Sequence, residues 1–192
     1  DIKEKIKNLN SRIAFKKKNQ NETEKQKKNQ DEKMASMPAI QPVSNKQLNR
    51  VASGFGLRID PVYGTPKMHK GLDFSAPQGT PIYATGDGVI KLAGSSEGGY
   101  GNHVIINHGY GYETLYGHMV RVKARTGQKV KRGEVIGWVG STGKSTGPHC
   151  HYEVHINNQA VDPVYFFYND LNAEEYDRLL KIASTGSARS FD

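Results

Sequence analysis

The chain has 192 residues, of which 35% are hydrophobic, and its formal net charge is +8. This length fits one medium-sized domain with an appendage, and the low hydrophobic content indicates that part of the chain lies outside a core. A single cysteine, Cys150, excludes an intrachain disulfide, and no apolar run approaches the ~18–20 residues that a membrane-spanning helix needs.

The basic charge is concentrated at the N-terminus, where residues 1–33 contain eleven Lys or Arg and six Asp or Glu. The first apolar residues are spaced four, three and four apart: Ile2, Ile6, Leu9 and Ile13. This spacing predicts an amphipathic helix that can seed a short coiled coil. Residues 16–33 contain almost nothing apolar, so they either continue the helix in solvent or form a disordered tether. We therefore predict a basic, helical, coiled-coil-like arm over residues 1–33.

The role of this arm has more than one interpretation. Basic segments bind nucleic acid, anionic lipid or anionic polymers, but a charged helix that contacts only solvent has the same composition. The apolar stripe also predicts self-association or a regulatory partner. The chain begins at Asp1 rather than with Met, from which we expect an export or anchoring segment upstream.

The composition of the rest of the chain predicts a linker, a β domain and a C-terminal helix. Residues 34–49 contain two prolines and are predicted to be a linker. Over residues 50–168, short runs rich in Val, Ile and Tyr alternate with Gly-rich turns, which predicts an antiparallel β domain. Beyond it, Asn172 followed by acidic residues is typical of a helix N-terminus. We therefore predict a C-terminal helix and tail over residues 169–192.

His149 and His151 form a His-x-His pair within a predicted strand. Residues two apart on a strand point to the same face, ~6.6 Å from each other, so Cys150 points to the opposite face. Cys150 shares that face with Tyr152 and Val154, which makes it apolar. The polar face suits the floor of a metal-binding cleft, but a strand face exposed to solvent has the same pattern.

A second pair, His69 and Asp73, lies in the sequence His-Lys-Gly-Leu-Asp. On a straight strand the two residues would be ~13 Å apart, too far to share a metal ion. They meet only if the chain bends between them, and Gly71 permits a bend or bulge. The two pairs together supply the three ligands that catalytic zinc takes, with a fourth position left for water. Spacing alone leaves open whether His149 or His151 is the ligand.

His118 is a second candidate for acting on that water, because it follows Tyr-Gly at the end of another predicted strand. Two imidazoles beside a metal-bound hydroxide can share the tasks of general base and oxyanion stabilisation. The sequence does not assign these two tasks between His118 and His149.

Over roughly residues 50–166 the chain resembles the M23 zinc endopeptidases of the lysostaphin and LytM type. The matching pieces, in the order typical of the family, are His69-Lys-Gly-Leu-Asp73, Gly86-Asp-Gly88, Gly101-Asn102, Tyr116-Gly-His118, Gly127 to Gly140 and Gly147-Pro-His-Cys-His-Tyr-Glu153. The resemblance implies a mainly β fold, an antiparallel two-sheet LytM-type domain, here with an N-terminal helical arm and a short C-terminal helix.

The resemblance also implies the roles of six residues. The ligands of one Zn²⁺ per chain would be His69, Asp73 and His151. The catalytic histidines would be His118 and His149, and Asn102 matches a position that contacts substrate in some members.

The function that the resemblance implies is a zinc-dependent endopeptidase that cleaves peptidoglycan cross-links or stem peptides through a metal-activated water. Peptidoglycan would be the partner, nucleic acid would not, and the location would be the cell envelope, periplasmic or otherwise extracytoplasmic. The alternative is a non-catalytic module that binds peptidoglycan or activates another hydrolase. Members of that kind often lack some of the five metal and catalytic residues, all of which are present here, so the enzyme is favoured.

The sequence does not say which peptide bond is cleaved. Segments such as Gly54-Phe-Gly-Leu-Arg58 look more like envelope-anchored Gram-negative members and favour diaminopimelate cross-links over glycine bridges.

The remaining polar residues near the candidate site have their own interpretations. Glu153 is either a partner that orients a metal ligand or an exposed strand carboxylate. His155 lies ~13 Å along the strand from His151, too far for the same metal. We expect His103 and His108 to be structural or exposed.

Overall fold

The computed structural model describes residues 2–47, 50–59, 64–96, 99–169 and 171–184. The chain divides into two units, Asp1–Ala35 and Ser36–Asp192. The first is the main part of a single helix, α1 (Ile2–Ser36). The second is mainly β and ends in a short helix, α2 (Ala173–Ser184). The predicted fold, a mainly β antiparallel domain with an N-terminal helical arm and a short C-terminal helix, is confirmed.

Helix α1 is continuous for 35 residues, so the Lys- and Gln-rich stretch continues the helix that the first apolar residues begin. Ile6, Leu9 and Ile13 lie on this helix with exposed side chains. They carry the predicted apolar stripe, while Ile2 has no described side chain. Among the described residues, no helix is long and apolar enough to cross a membrane.

The strands of the second unit are β1 (Arg50–Ser53), β2 (Gly56–Ile59), β3 (Pro66–His69), β4 (Leu72–Ser75), β5 (Pro81–Tyr83), β6 (Gly88–Ser96), β7 (Gly101–Gly109), β8 (Tyr112–Met119), β9 (Arg121–Val122), β10 (Lys129–Val130), β11 (Val135–Trp138), β12 (His149–Ile156) and β13 (Gln159–Val161). The largest sheet has the order β1-β4-β12-β8-β7-β6-β10, with β13 paired to β12. A second sheet has the order β5-β11-β9, and β2 and β3 form a small third one. Every pairing is antiparallel within the described residues.

Strand β12 divides its residues between two faces as its alternation predicts. Cys150, Tyr152 and Val154 are fully buried in the hydrophobic core. The ring of Phe167, on the 3-10 helix Pro163–Asn169, lies 6.0 Å from that of Tyr152 and 5.8 Å from that of Phe74. Cys150 is thus a buried apolar residue that points away from the two histidines beside it. The opposite face of the strand is left for polar side chains.

The segment predicted to be a linker, residues 34–49, contains buried residues in its middle. Ala39 and Val43 are buried in the β unit. The Ala39 amide donates to the Thr85 carbonyl at 3.0 Å, and the Tyr83 amide donates to the Pro42 carbonyl at 2.9 Å. Residues 39–43 therefore pack against the strand β5 and the residues that follow it. The sequence did not predict this packing, because the segment contains prolines and few apolar residues. Its hydrogen-bond partners, Thr85 and Tyr83, are also distant in sequence.

A buried histidine, His108, makes the stability of this unit depend on pH. Its Nδ1 donates to the Asp87 carbonyl at 2.8 Å and its Nε2 lies 2.8 Å from Thr114 Oγ1. Burial lowers the pKa of His108 from 6.5 to about 4. The folded state therefore binds fewer protons than the unfolded state between these two values, so stability is complete above the upper value and decreases as pH falls through the interval.

From this shift we expect the metal-free protein to lose roughly 3 kcal/mol of unfolding free energy between pH 7 and pH 4 through His108. Urea unfolding across this range measures the loss. His108→Gln, which does not titrate, should show a shallower pH dependence than the natural chain. Equal slopes for the two proteins would show that the ring is not held neutral.

Candidate metal centre

A bend between two short strands brings His69 and Asp73 together. Strand β3 ends at His69 and β4 begins at Leu72, so Lys70 and Gly71 form the bend. A Cβ on Gly71 would lie 2.2 Å from the Tyr152 carbonyl oxygen. Glycine is thus required for the close approach of the bend to β12, and a larger residue would push the two strands apart.

The pairing of β4 with β12 adds the third side chain. Asp73 lies directly opposite His151 in this register. Three atoms then converge: His69 Nε2 and Asp73 Oδ1 are 3.1 Å apart, Asp73 Oδ1 and His151 Nδ1 are 2.9 Å apart, and the two ring nitrogens are 3.1 Å apart. All three residues are buried, and they form a group whose ligand atoms lie within 4.8 Å of one another.

The outer nitrogen of each ring is held by an oxygen. His69 Nδ1 donates to the Gly54 carbonyl at 2.6 Å, and His151 Nε2 donates to Glu153 Oε1 at 3.0 Å. These bonds direct the other nitrogen of each ring towards Asp73. The short contacts are satisfied either by a proton on one ring or by a cation among the three atoms. Two imidazole nitrogens and one carboxylate oxygen form a ligand set that fits zinc.

The carboxylate at the centre of this group is ionised. Burial by itself raises the pKa of Asp73, but hydrogen bonds with His151 and His69 outweigh it and hold the pKa well below its usual range. Arg58 Nη1 lies 3.5 Å from the second carboxylate oxygen. Asp73 thus retains the negative charge that binding of a divalent cation requires.

Glu153 is buried, so of its two interpretations the contacts favour the partner that orients a ligand. Besides His151, it accepts a hydrogen bond from Tyr100 Oη at 2.7 Å, and its second oxygen contacts His155 Nε2. Burial raises the pKa of Glu153, while the bonds to His151 and His155 lower it to about 2. Among the described contacts, His155 is therefore linked to the cluster through Glu153. Sequence reasoning missed the parts played by Tyr100 and His155.

His118 and His149 lie beside the cluster, with their ring centroids 4.6 Å apart. Nδ1 of His118 donates to the Thr142 carbonyl at 2.8 Å, and Nδ1 of His149 donates to the Gly147 carbonyl at 2.9 Å. Each neutral ring therefore carries its basic lone pair on Nε2. Nε2 of His149 lies 3.7 Å from Asp73 Oδ1, so the basic side of this ring faces the cluster.

The backbone of His118 has a φ of +59°, a left-handed conformation that few residues other than glycine adopt. Its amide donates to the Tyr100 carbonyl at 2.7 Å, which holds the strand end in this conformation. Thr142 also contacts this turn, because its hydroxyl donates to the Met119 carbonyl at 2.8 Å. An unfavourable backbone held in place from several sides is typical of functional positions.

Asn102 lies in the support of this turn. Asn102 is not among the described residues that line the cleft. Its side-chain amide donates to the Met119 carbonyl and its backbone amide donates to Thr142 Oγ1, both at 3.0 Å. These contacts place Asn102 next to His118 in the scaffold. The contact with substrate that sequence resemblance implies for Asn102 stays a prediction. His103 and His108 are buried and hydrogen-bonded away from the cluster, as structural residues are.

A cleft of about 350 Å³ opens over the group formed by His69, Asp73 and His151, hereafter the metal-binding group because its donor atoms suit a metal ion. The residues that line it include His69, His118 and His151, together with Tyr100 and Glu153. Its lining also includes Lys67, Lys70 and Lys144. A peptide in this cleft would therefore contact both the buried cluster and His118.

The sequence profile described as Peptidase family M23 matches residues 67–163, which is half of the chain. The chain belongs to peptidase family M23. The matched range contains all five of the metal and catalytic positions that the resemblance implied. The predicted family membership is confirmed.

Curated relatives include proteins of Neisseria meningitidis and Vibrio cholerae. The chain is 54% identical over 115 residues to the DD-carboxypeptidase/endopeptidase Mpg of Neisseria meningitidis, covering 60% of this chain and 26% of that protein. It is 45% identical over 115 residues to the peptidoglycan DD-endopeptidase ShyC of Vibrio cholerae, covering 59% of this chain and 26% of that one. The chain thus spans about a quarter of the length of these relatives.

Solved structures of M23 peptidases have the same fold. A zinc containing peptidase from Vibrio cholerae matches with a TM-score of 0.60 and 40% identity over 64% of this chain and 37% of that chain. The catalytic domain of lysostaphin from Staphylococcus simulans matches with a TM-score of 0.57 and 35% identity, over 64% of this chain and 92% of that domain. These likenesses confirm the LytM-type architecture.

Proposed function

We propose that this chain is a zinc-dependent endopeptidase that hydrolyses peptide bonds in peptidoglycan cross-links or stem peptides. The observation that carries the proposal is the convergence of three buried ligand atoms with two oriented imidazoles beside them. Of these five residues, His69, His118 and His151 line one cleft. The family membership and the names of the relatives support peptidoglycan as the substrate and an extracytoplasmic, cell-envelope location. A non-catalytic binding or activating module is disfavoured, because a module without chemistry has no need for five buried, oriented site residues.

In this proposal His69, Asp73 and His151 hold one Zn²⁺, with His69 and His151 supplying nitrogen and Asp73 supplying oxygen. When bound, zinc supplies Lewis acidity towards the peptide carbonyl and lowers the pKa of a coordinated water. Two neutral imidazole rings and one carboxylate would leave the zinc site with a net positive charge, which the protein sets through its choice of ligands.

His118 and His149 divide the remaining work in this proposal. One Nε2 accepts the proton of the attacking water, and the other ring, in its form protonated at Nε2, donates a hydrogen bond to the oxygen that becomes negative. The proton is afterwards delivered to the leaving amine. His149 is the ring next to the metal-binding group, with its Nε2 3.7 Å from Asp73 Oδ1.

Digestion of purified sacculi tests the proposed reaction, with the products identified by mass spectrometry. The zinc-loaded full chain should release peptides cut at one type of bond, and a chelator should stop the release. Added zinc should then restore it. Intact cross-links and stems after digestion by protein with a full complement of zinc would contradict the proposal.

Glu153 provides a graded test of the metal assignment. Glu153→Gln keeps the shape of the side chain but removes the charge that His151 Nε2 donates to. We expect the affinity for Zn²⁺ to fall roughly 10–100-fold, the usual effect of losing a partner that orients a metal-binding histidine. Competition with a chelating dye measures it. The matched control is Glu113→Gln on β8, which pairs with Lys91 at the surface and should bind zinc normally. Equal affinities for the two variants would contradict the assignment.

We further propose that the arm brings a second copy or a regulatory partner to the enzyme, because Ile6, Leu9 and Ile13 form an exposed apolar stripe on α1. The full chain should sediment with a concentration-dependent coefficient, and Leu9→Gln should weaken this dependence. Asn10→Gln, next to the stripe on the same helix, is the control. Identical sedimentation of all three proteins at every concentration would remove the basis for self-association.

A further inference from the structure

We infer that the cleft recognises a free carboxylate of the substrate through Lys67, Lys70 and Lys144, and thereby prefers peptides that carry such a group beside the scissile bond. This inference rests on the proposed function and names the chemical class of its substrate. It concerns lysines that take no part in the metal-binding group or the two catalytic positions.

The first two lysines are placed by the same elements that place His69. Lys67 precedes His69 by two residues on β3, so strand alternation gives both side chains the same face. Lys70 follows His69 at the bend into β4. Both lysines line the cleft that opens over the metal-binding group.

The third lysine comes from a different part of the chain. Lys144 lies in the loop between β11 and β12, and its backbone amide donates to the Gly99 carbonyl at 2.9 Å. That bond fixes the loop beside the turn that precedes β7. Lys144 lines the same cleft with an exposed side chain, so cationic groups enter the cleft lining from two separate segments.

Lysines outnumber carboxylates in the described lining of the cleft. Among the described residues that line the cleft, Glu153 is the only carboxylate. It is buried and already engaged by His151, His155 and Tyr100. The accessible part of the described lining is therefore cationic, and a cleft lined by charge of one sign concentrates ligands of the opposite sign.

A carboxylate is the anion that peptides offer. Side-chain and terminal carboxylates occur in peptidoglycan stem peptides, whereas the interior of an oligoglycine has none. Lysine suits this task, because its flexible stem lets the ammonium group follow a carboxylate over a range of positions. The lysines would thus make the cleft bind charged cross-links more tightly than neutral ones. The difference would lie in KM, and the chemical step at the metal-binding group would be unchanged.

The test uses two cross-linked peptides that differ only in whether the carboxyl group beside the scissile bond is free or amidated. For the zinc-loaded full chain we expect kcat/KM to be about tenfold higher for the free carboxylate, the range of charge-assisted contacts that are partly exposed. The difference should lie mainly in KM and shrink as salt is added. The double variant Lys67→Gln/Lys70→Gln should bring the two substrates close to equal rates.

Lys129→Gln is the matched control. Lys129 is exposed on β10, the edge strand of the largest sheet that lies farthest from β4 in the strand order. This variant should retain the full preference. Equal kcat/KM for the two peptides in the natural chain, or an unchanged preference in the double variant, would overturn the carboxylate inference and leave the peptidase intact. Failure of the zinc-loaded chain to cleave either peptide would overturn the proposed function itself, and the inference with it.

Discussion

Asp73→Asn should remove both the metal and the activity. Asp73 is fully buried, lies within 3.1 Å of a nitrogen from each of two histidines, and is the only anion of the three-ligand group. The amide has no charge to balance a divalent cation, and Lewis-acid assistance contributes several kcal/mol, so we expect kcat/KM to fall at least about a thousandfold. Zinc content by mass spectrometry and the rate on cross-linked peptide measure the two effects.

The control for this substitution is Asp177→Asn on α2, an exposed carboxylate that pairs with Lys181. It should retain about one zinc per chain and the rate of the natural protein. An Asp73→Asn protein that keeps both its zinc and its activity would show that the metal lies elsewhere.

His118→Asn should lower kcat by roughly 10²–10⁴-fold, the usual contribution of a positioned acid or base, while zinc content stays unchanged. Asparagine is the better substitution, because His118 has a φ of +59° and asparagine adopts that conformation more readily than alanine. The fold should therefore survive, which thermal unfolding of the zinc-loaded protein can verify.

A double variant separates cooperation from independent effects. If His118 and His149 act as one unit, His118→Asn/His149→Asn should be little worse than the more damaging single variant. Strict multiplication of the two losses would indicate separate roles. A His118→Asn protein with unchanged kcat would contradict the proposed part of this ring in catalysis.

The bend near Gly71 illustrates what local sequence can predict. The need for a bend follows from strand geometry, because His69 and Asp73 are too far apart on a straight strand. The reason for glycine at that position is different from local flexibility, since a Cβ would strike the Tyr152 carbonyl of β12. That contact joins residues 81 positions apart, which no local pattern reveals.

The choice between His149 and His151 depended on the same long-range pairing. Strand alternation put both rings on one face, and family resemblance alone assigned the metal to His151. In the structure the register of β4 against β12 sets Asp73 opposite His151, while His149 lies two pairs away, opposite Ser75. Local sequence contains no information on register between strands so distant in the chain.

The support around the ligands was the least predictable part. Alternation placed Glu153 and His155 on the polar face of β12 but did not distinguish a buried carboxylate from an exposed one. The deciding residue is Tyr100, which approaches from the turn before β7 and donates to Glu153. Burial of polar side chains depends on what covers them, and the cover comes here from another part of the chain.

The most direct test of the metal centre is anomalous diffraction at the zinc edge from crystals of the zinc-loaded full chain. We predict one strong peak within bonding distance of His69 Nε2, Asp73 Oδ1 and His151 Nδ1, with His118 and His149 outside the coordination shell. A peak bonded to His149 in place of His151, or the absence of any peak at these three residues, would contradict the account.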